Sequence, residues 1–312
     1  MAVREGMVGI RGTSGGGSSR MCRRLAGTLA VVLCCLAFGC APFRGRYELP
    51  PIPELEPEEE PWTKEQKLLA LNAGTTAIIA AYGLQFWDYG GANFQTKDEG
   101  WFGQNTAYGG ADKLGHAYAA YLATLGFSAL YEHWGYERHD ADLYGAISSM
   151  TAFTLIEVGD GFSKNGFSSE DIVVNTAGIL FGYARRRIPA LGRFVDFRVE
   201  YFPSDAVTDG TKDDLVTDYS GYKYLLAFKL EGFKRLENSP LSYLEFHVGY
   251  YTRGFLPQDE PFYDEKTRTV YFGIGINLSR VFRKLGLKTV GKFFEFYQVP
   301  YTYVPFESDL DG

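Results

Sequence analysis

The sequence predicts an α+β protein: an antiparallel four-helix bundle made of two helical hairpins, followed by an antiparallel β-meander of four to five strands. Three observations predict it. Between residues 63 and 190, apolar residues recur at helical spacing between recognisable start and stop signals. From Phe194 onward the apolar period changes to two, the period of a strand. Inside the helical part, Asp112, Lys113, His116, Glu157, Asp160, Asp171 and Asn175 sit at or near the ends of otherwise apolar runs, where helices of one bundle could bring them together.

Two segments of different character come first. Arg23 and Arg24 precede the apolar run Leu25 to Phe38, which is short for a membrane span and right for the apolar region of a secretory signal. All four cysteines, Cys22, Cys34, Cys35 and Cys40, fall within the first forty residues, so the rest of the chain has no disulfide and no thiolate metal site. The run ends Leu36-Ala37-Phe38-Gly39-Cys40, which resembles a bacterial lipoprotein signal: a small residue precedes a cysteine that is acylated and becomes the new N-terminus. Residues 1–40 therefore read as a lipoprotein signal peptide with Cys40 as the lipidated residue. The expected location is the cell envelope, lipid-anchored, at the outer membrane facing the periplasm.

Residues 41–62 carry six prolines and six glutamates and no apolar face to bury, which makes an extended, solvated tether. The net charge of −7, with the basic excess confined to the leader, excludes a nucleic-acid partner.

Thr63-Lys64-Glu65-Gln66 fits a capping box and opens the first helix. Leu68 to Trp87 is uncharged, long enough to span a membrane and equally suited to the centre of a bundle. The glycine-rich stretch Asp88 to Gly110 reads as an irregular connection. Asp112 is placed to cap a second helix running to about His133, and a third fits Asp140 to Val158, stopped by Gly159. Ser168 and Asp171 begin a fourth, which ends in Arg185, Arg186 and Arg187 before Pro189, with cations at the favourable end of the helix.

Strands are expected at Phe194 to Phe202, Tyr222 to Glu231, Ser242 to Tyr251 and Thr269 to Asn277, with a fifth near Phe293 to Tyr303. Residues 191–312 thus form an antiparallel β domain whose apolar face packs on the helices of residues 63–190. Aromatic alternation of this kind also suits outer-membrane strands, but the smallest such barrels need about eight of them.

If the helices run antiparallel in chain order, the third ends at the level where the second and fourth begin, and Asp112 and His116 meet Glu157, Asp160 and Asp171. Three readings of that layer compete. His116 with Glu157, Asp160 and Asp171 could hold a divalent metal such as Zn²⁺ or Mn²⁺ that activates water. A carboxylate could instead polarise His116 as base or nucleophile, with Lys113 steadying a phosphate. Or the layer is structural: Asp112 and Asp171 cap helices, and Lys113 pairs with Glu157 or Asp160. Asp112, Lys113, Ser168 and Asn175 are the candidate binding residues, and Asn175 in particular needs a hydrogen-bond partner. Gly178 and Gly182 let a neighbouring helix approach closely. His133 and His139 fall in a charged loop, and His247 alternates with aromatic residues at the edge of a core.

The order ADKLGHAYAAY, then IEVGDGFSKNGFSSEDIVVNTAGILFG, resembles an uncharacterised family of predicted periplasmic lipoproteins typified by YfiM. Its signature is D-K-x-G-H, then E-x-x-D-G-F, then G-F-S-x-x-D-x-x-x-N-x-x-G. Asp112, Lys113, Gly115, His116, Glu157, Asp160, Gly161, Phe162, Gly166, Phe167, Ser168, Asp171, Asn175 and Gly178 match it, within a resemblance covering roughly residues 64–187. More distantly, the same residue order is similar to the VanZ family of membrane proteins. Neither resemblance carries a reaction, so the cofactor and any enzymatic role stay open. The expectation is an envelope lipoprotein, a membrane-associated structural or binding protein whose polar layer fixes helix packing or takes a lipid or glycan headgroup. The alternative is a hydrolase or transferase acting on an envelope lipid-linked or glycan substrate through His116, Glu157, Asp160 and Asp171.

Overall fold

The computed structural model describes residues 61–311; the signal segment, Cys40 and nearly all of the tether lie outside the described residues. Helix α1, Lys64–Phe86, opens at the expected capping box. The Thr63 hydroxyl accepts from the Gln66 amide at 3.3 Å and the Gln66 side chain accepts from the Thr63 amide at 2.9 Å, so two orphan donors are satisfied at once. Helices α2 (Ala111–His133), α3 (Arg138–Gly161) and α4 (Ser169–Arg187) follow. Ser168 caps α4 as expected, its hydroxyl accepting from the Asp171 amide at 3.2 Å.

Asp112 does not cap α2. It lies inside the first turn, and its carboxylate turns to the Lys113 ammonium at 2.9 Å, a stronger partner than a backbone amide. The residue before the helix is Gly110, whose φ of 88° and whose missing Cβ, which would collide with the Phe102 ring, both require glycine.

Helices α2, α3 and α4 pack against one another, and their shared interior is small and polar: Ala117, Ala120, Thr124 and Ser128 of α2, Gly145, Ser148, Ser149 and Ala152 of α3, Gly178 and Gly182 of α4. A Cβ at Gly178 would collide with the Ala117 carbonyl oxygen, so the α2–α4 approach depends on that glycine. Helix α1 is not the centre of a bundle. It rests chiefly on α3, with an Asn72–Tyr131 hydrogen bond of 2.8 Å to α2, and Gly83 is its one buried residue. The close contact of the other three leaves no space between them for its larger side chains.

Four short helices, α5 (Pro189–Phe194), α6 (Asp205–Thr208), α7 (Leu278–Lys284) and α8 (Lys288–Phe293), surround a five-stranded sheet. Strands β1 (Val195–Tyr201), β2 (Tyr222–Lys229), β3 (Leu244–Arg253), β4 (Thr267–Ile276) and β5 (Tyr303–Asp309) form an antiparallel meander in chain order. The fifth strand starts where the expected one ends. Phe293 to Tyr303 instead closes α8 and runs beside β1, with Tyr297 bridged to Val199, before Tyr301 turns the chain at a positive φ of 63°.

Register places Phe197, Leu226, Val248, Phe272 and Phe306 opposite one another across all five strands, on one face. On β1 and β2 that face meets α2, where Phe197 and Tyr224 pack with Ala117 and Tyr121. On β3, β4 and β5 it is bare: Phe246, Val248, Phe272, Ile274, Val304 and Phe306 are exposed. The other face is charged, buried around Asp196, Arg198, Lys229, Glu245 and His247 and open to a cleft around Lys223, Tyr251, Arg253 and Glu307. Arg198 donates to Glu245 at 2.6 Å and to Asp196 at 2.8 Å, Lys229 donates to Asp196 at 2.7 Å, and His247 lies 2.9 Å from Glu245. Arg185 of α4 joins them through Asp196. The expected packing of the apolar face on the helices therefore holds for β1 and β2 alone.

Candidate functional site

The first turn of α2, the last turn of α3 and the first turn of α4 end at one level. Helix N-termini favour anions, so Asp112 and Asp171 are well placed there, while the C-terminal end of α3 contributes Glu157 and Asp160. Lys113 is buried among three carboxylates, with its Nζ 2.6 Å from Glu99, 2.9 Å from Asp112 and 2.9 Å from Asp171. Its partners are these and not Glu157 or Asp160, because its side chain projects from α2 toward α4 and the loop before α2. Burial works against the ammonium charge, but Asp112, Glu99 and Asp171 more than offset it and hold the Lys113 pKa above its ordinary value.

Glu99 was not legible as a site residue. It comes from the irregular Asp88–Gly110 connection, where its only mark is the charged run Lys97-Asp98-Glu99.

Next to this locked ammonium lies a second group. His116 Nδ1 is 3.6 Å from Glu157 Oε1, and the Asn175 amide donates to the same oxygen at 3.4 Å, which gives Asn175 the partner its burial demands. Ligand atoms of His116, Glu157 and Asp171 all lie within 4.8 Å of one another. The same is true of Glu99, Asp112 and Asp171, but there the Lys113 ammonium sits among the oxygens. The two groups share Asp171, so Lys113 touches the first group at that carboxylate, while its ion pairs do not include Glu157. His116 Nδ1 and Asn175 Oδ1 are buried without a hydrogen-bond partner among the described residues. Asp160 stands slightly apart, accepting from the Asn165 side chain at 3.2 Å. Ser168 is occupied as the helix cap.

The surroundings shift these carboxyl groups in different directions. Burial raises the Glu157 pKa from 4.5 to about 8, and the charges of Asp171 and Asp160 add to the rise. Burial also raises Asp160. Asp171 is subject to the same burial, yet His116, Lys113 and Ser168 together bring its pKa below the ordinary value.

These residues open onto a cleft of about 510 Å³. Its walls include His116, Glu157, Asp160 and Asp171, the end of α1 at Phe86 and Trp87, and Tyr219 from the segment before β2. A buried carboxyl beside an imidazole at a cleft can exchange protons, and imidazole with carboxylates can hold a divalent ion of intermediate softness.

Residues 98–187 match the model of a family described as predicted periplasmic lipoprotein (DUF2279). No curated protein and no solved structure matches the chain. The matched stretch runs from the loop that supplies Glu99 to the end of α4, and so contains Glu99, Asp112, Lys113, His116, Glu157, Asp160, Asp171 and Asn175. The part of the chain that supplies the charged residues of the site is thus the part similar to a family of predicted periplasmic lipoproteins, and that similarity supports a place in the cell envelope.

Proposed function

We propose that this is a lipid-anchored envelope protein whose cleft binds a divalent cation at His116, Glu157 and Asp171, and through it an anionic headgroup of an envelope lipid or glycan. One observation carries the reading. His116, Glu157 and Asp171 place ligand atoms within 4.8 Å of one another at the wall of a cleft, and although Lys113 pairs with the Asp171 they share with Glu99 and Asp112, its single charge is spread over three carboxylates and its partners do not include Glu157. A phosphate or uronate would be repelled by the carboxylates unless a cation lay between them. The donor set, one imidazole with carboxylates, suits Zn²⁺ or Mn²⁺. Asn175 fixes the orientation of Glu157, as supporting residues around metal ligands do.

A second reading, a hydrolase or transferase on a lipid-linked or glycan substrate, draws on the raised Glu157 pKa of about 8 next to His116. Glu157 would protonate a leaving oxygen and His116 would take the proton of the attacking water or hydroxyl. One set of measurements addresses both. In chelator-treated protein titrated with Mn²⁺ or Zn²⁺ by calorimetry, His116→Ala should weaken binding by roughly tenfold or more, while the melting temperature stays within a few degrees. If wild-type protein binds neither ion, or His116→Ala binds as tightly, the cation site is lost. If phosphodiester hydrolysis accompanies binding and vanishes in His116→Ala, the enzymatic reading replaces the binding one.

Anchoring at Cys40, at the outer membrane facing the periplasm, is a separate part of the proposal, supported by the signal-like leader and the family similarity. Cells expressing the wild type should incorporate labelled palmitate into the protein, and Cys40→Ser should abolish it; retained label would move the anchor elsewhere.

A further inference from the structure

We infer that α1 is embedded in a lipid bilayer, so that the folded unit meets the membrane directly and not only through an acyl chain on its tether. The argument begins with exposure. Helix α1 has 23 residues, and its most apolar stretch has a mean hydropathy of 1.3, yet only 6% of that stretch is buried in the protein. A core helix of this composition would be covered by its neighbours. Leu69, Ile78, Leu84 and Phe86 are each about two-thirds exposed, between 65% and 70%. Leaving four such side chains in water forgoes the burial that stabilises an ordinary core helix.

The distribution of exposure identifies the occupant. A partner helix or a second copy covers one stripe of about 100°. On α1, Ala73, Gly74, Thr76, Ala77, Ile78, Ala80, Ala81 and Tyr82 are all open. At about 100° per residue these positions sweep roughly two-thirds of the girth, and only the flank resting on α3 is shielded. One protein partner would leave most of that girth wet; lipid would not. Asn72, the polar residue nearest the start of the uncharged stretch, faces inward and donates to Tyr131 at 2.8 Å.

Length and ends agree. At about 1.5 Å per residue the helix is roughly 35 Å long, against a hydrocarbon core of about 30 Å. No charged residue lies between Leu68 and Trp87; Lys64, Glu65 and Lys67 mark one end and Asp88 the other. Trp62 stands at the first end, and Tyr82, Phe86, Trp87 and Tyr89 gather at the second, the placement that aromatic rings adopt at the two bilayer surfaces.

The test uses the full acylated chain with a nitroxide label at Ile78→Cys, reconstituted in vesicles of phosphatidylethanolamine and phosphatidylglycerol, with the parent chain setting the background from its own cysteines. Leu285→Cys, at a position 68% exposed just after α7 and outside the cleft that the end of α1 lines, serves as the aqueous reference. The expected result is at least a tenfold drop in collisions with a water-soluble nickel chelate at residue 78 relative to residue 285, together with increased collisions with oxygen. Equal nickel access at both positions overturns the inference. So does protection at residue 78 that appears without vesicles and grows with protein concentration, which would assign the helix to a second copy. The readout is independent of the cleft, so failure of the cation site leaves it untouched.

Discussion

Lys113→Met should be the most destabilising single substitution in the helical part of the molecule. Methionine keeps the apolar stem but removes the charge that holds Glu99, Asp112 and Asp171 together at 2.6 to 2.9 Å. Three carboxylates would then face one another at a site where Lys113 is 1% exposed, and water could not take over the missing role without opening the helix ends. Removing one partner of a buried ion pair costs roughly 3–5 kcal/mol, which for a unit of this size lowers the melting temperature by about 10 °C. Thermal denaturation followed by circular dichroism measures it. Because the three oxygens lie within 4.8 Å of one another, millimolar Mn²⁺ should restore part of the loss in the variant. A variant that melts within about 2 °C of wild type, a shift worth about 0.5–1 kcal/mol, would show that the ammonium is not what holds these helix ends together.

The second large effect is a pH dependence. In the folded protein the Glu157 pKa is raised from 4.5 to about 8, so the folded state holds a proton that the unfolded chain releases. The folded state therefore binds more protons between those values, and stability falls as pH rises through that window. With chelator present, the melting temperature should drop by roughly 5–10 °C between about pH 6 and pH 9, and Glu157→Gln, which cannot ionise, should remove most of that slope. An unchanged slope in Glu157→Gln would assign it to other groups. Divalent cation and proton compete for the same carboxylate, so added Mn²⁺ should protect the wild type most at the alkaline end.

Most elements set by local signals form where the sequence predicts them, the displaced fifth strand being the exception, whereas the choice of which side faces in depends on distant residues. The capping box at Thr63, the cap at Ser168 and the change of period after Phe194 each involve residues a few positions apart, and each element forms where those residues put it. The convergence of His116, Glu157 and Asp171 followed from the antiparallel run of three helices, and it did not need α1. The Asp112 cap failed because a neighbouring ammonium outcompeted a backbone amide, a contest decided by Glu99 and Asp171 from other parts of the chain. In the sheet, a period of two separates two faces without saying which is buried. Lys229, Arg198 and Glu245 are on the covered side because each finds an opposite charge on a neighbouring strand or residue, and cross-strand partners are set by register.

The row Phe197, Leu226, Val248, Phe272 and Phe306 is covered by α2 at one end and bare at the other, so the sheet is wider than the helical layer laid on it. Detergent should bind the purified molecule in a belt that includes the β3–β5 surface, and its apparent mass in gel filtration should exceed that of its own polypeptide even when it is monomeric. The same overhang gives crystallisation and purification trials a practical starting point. Exchanging Phe272 and Phe306 for polar residues alters no ion pair in the charged interior, and so offers a route to a less adhesive version that keeps the cleft intact.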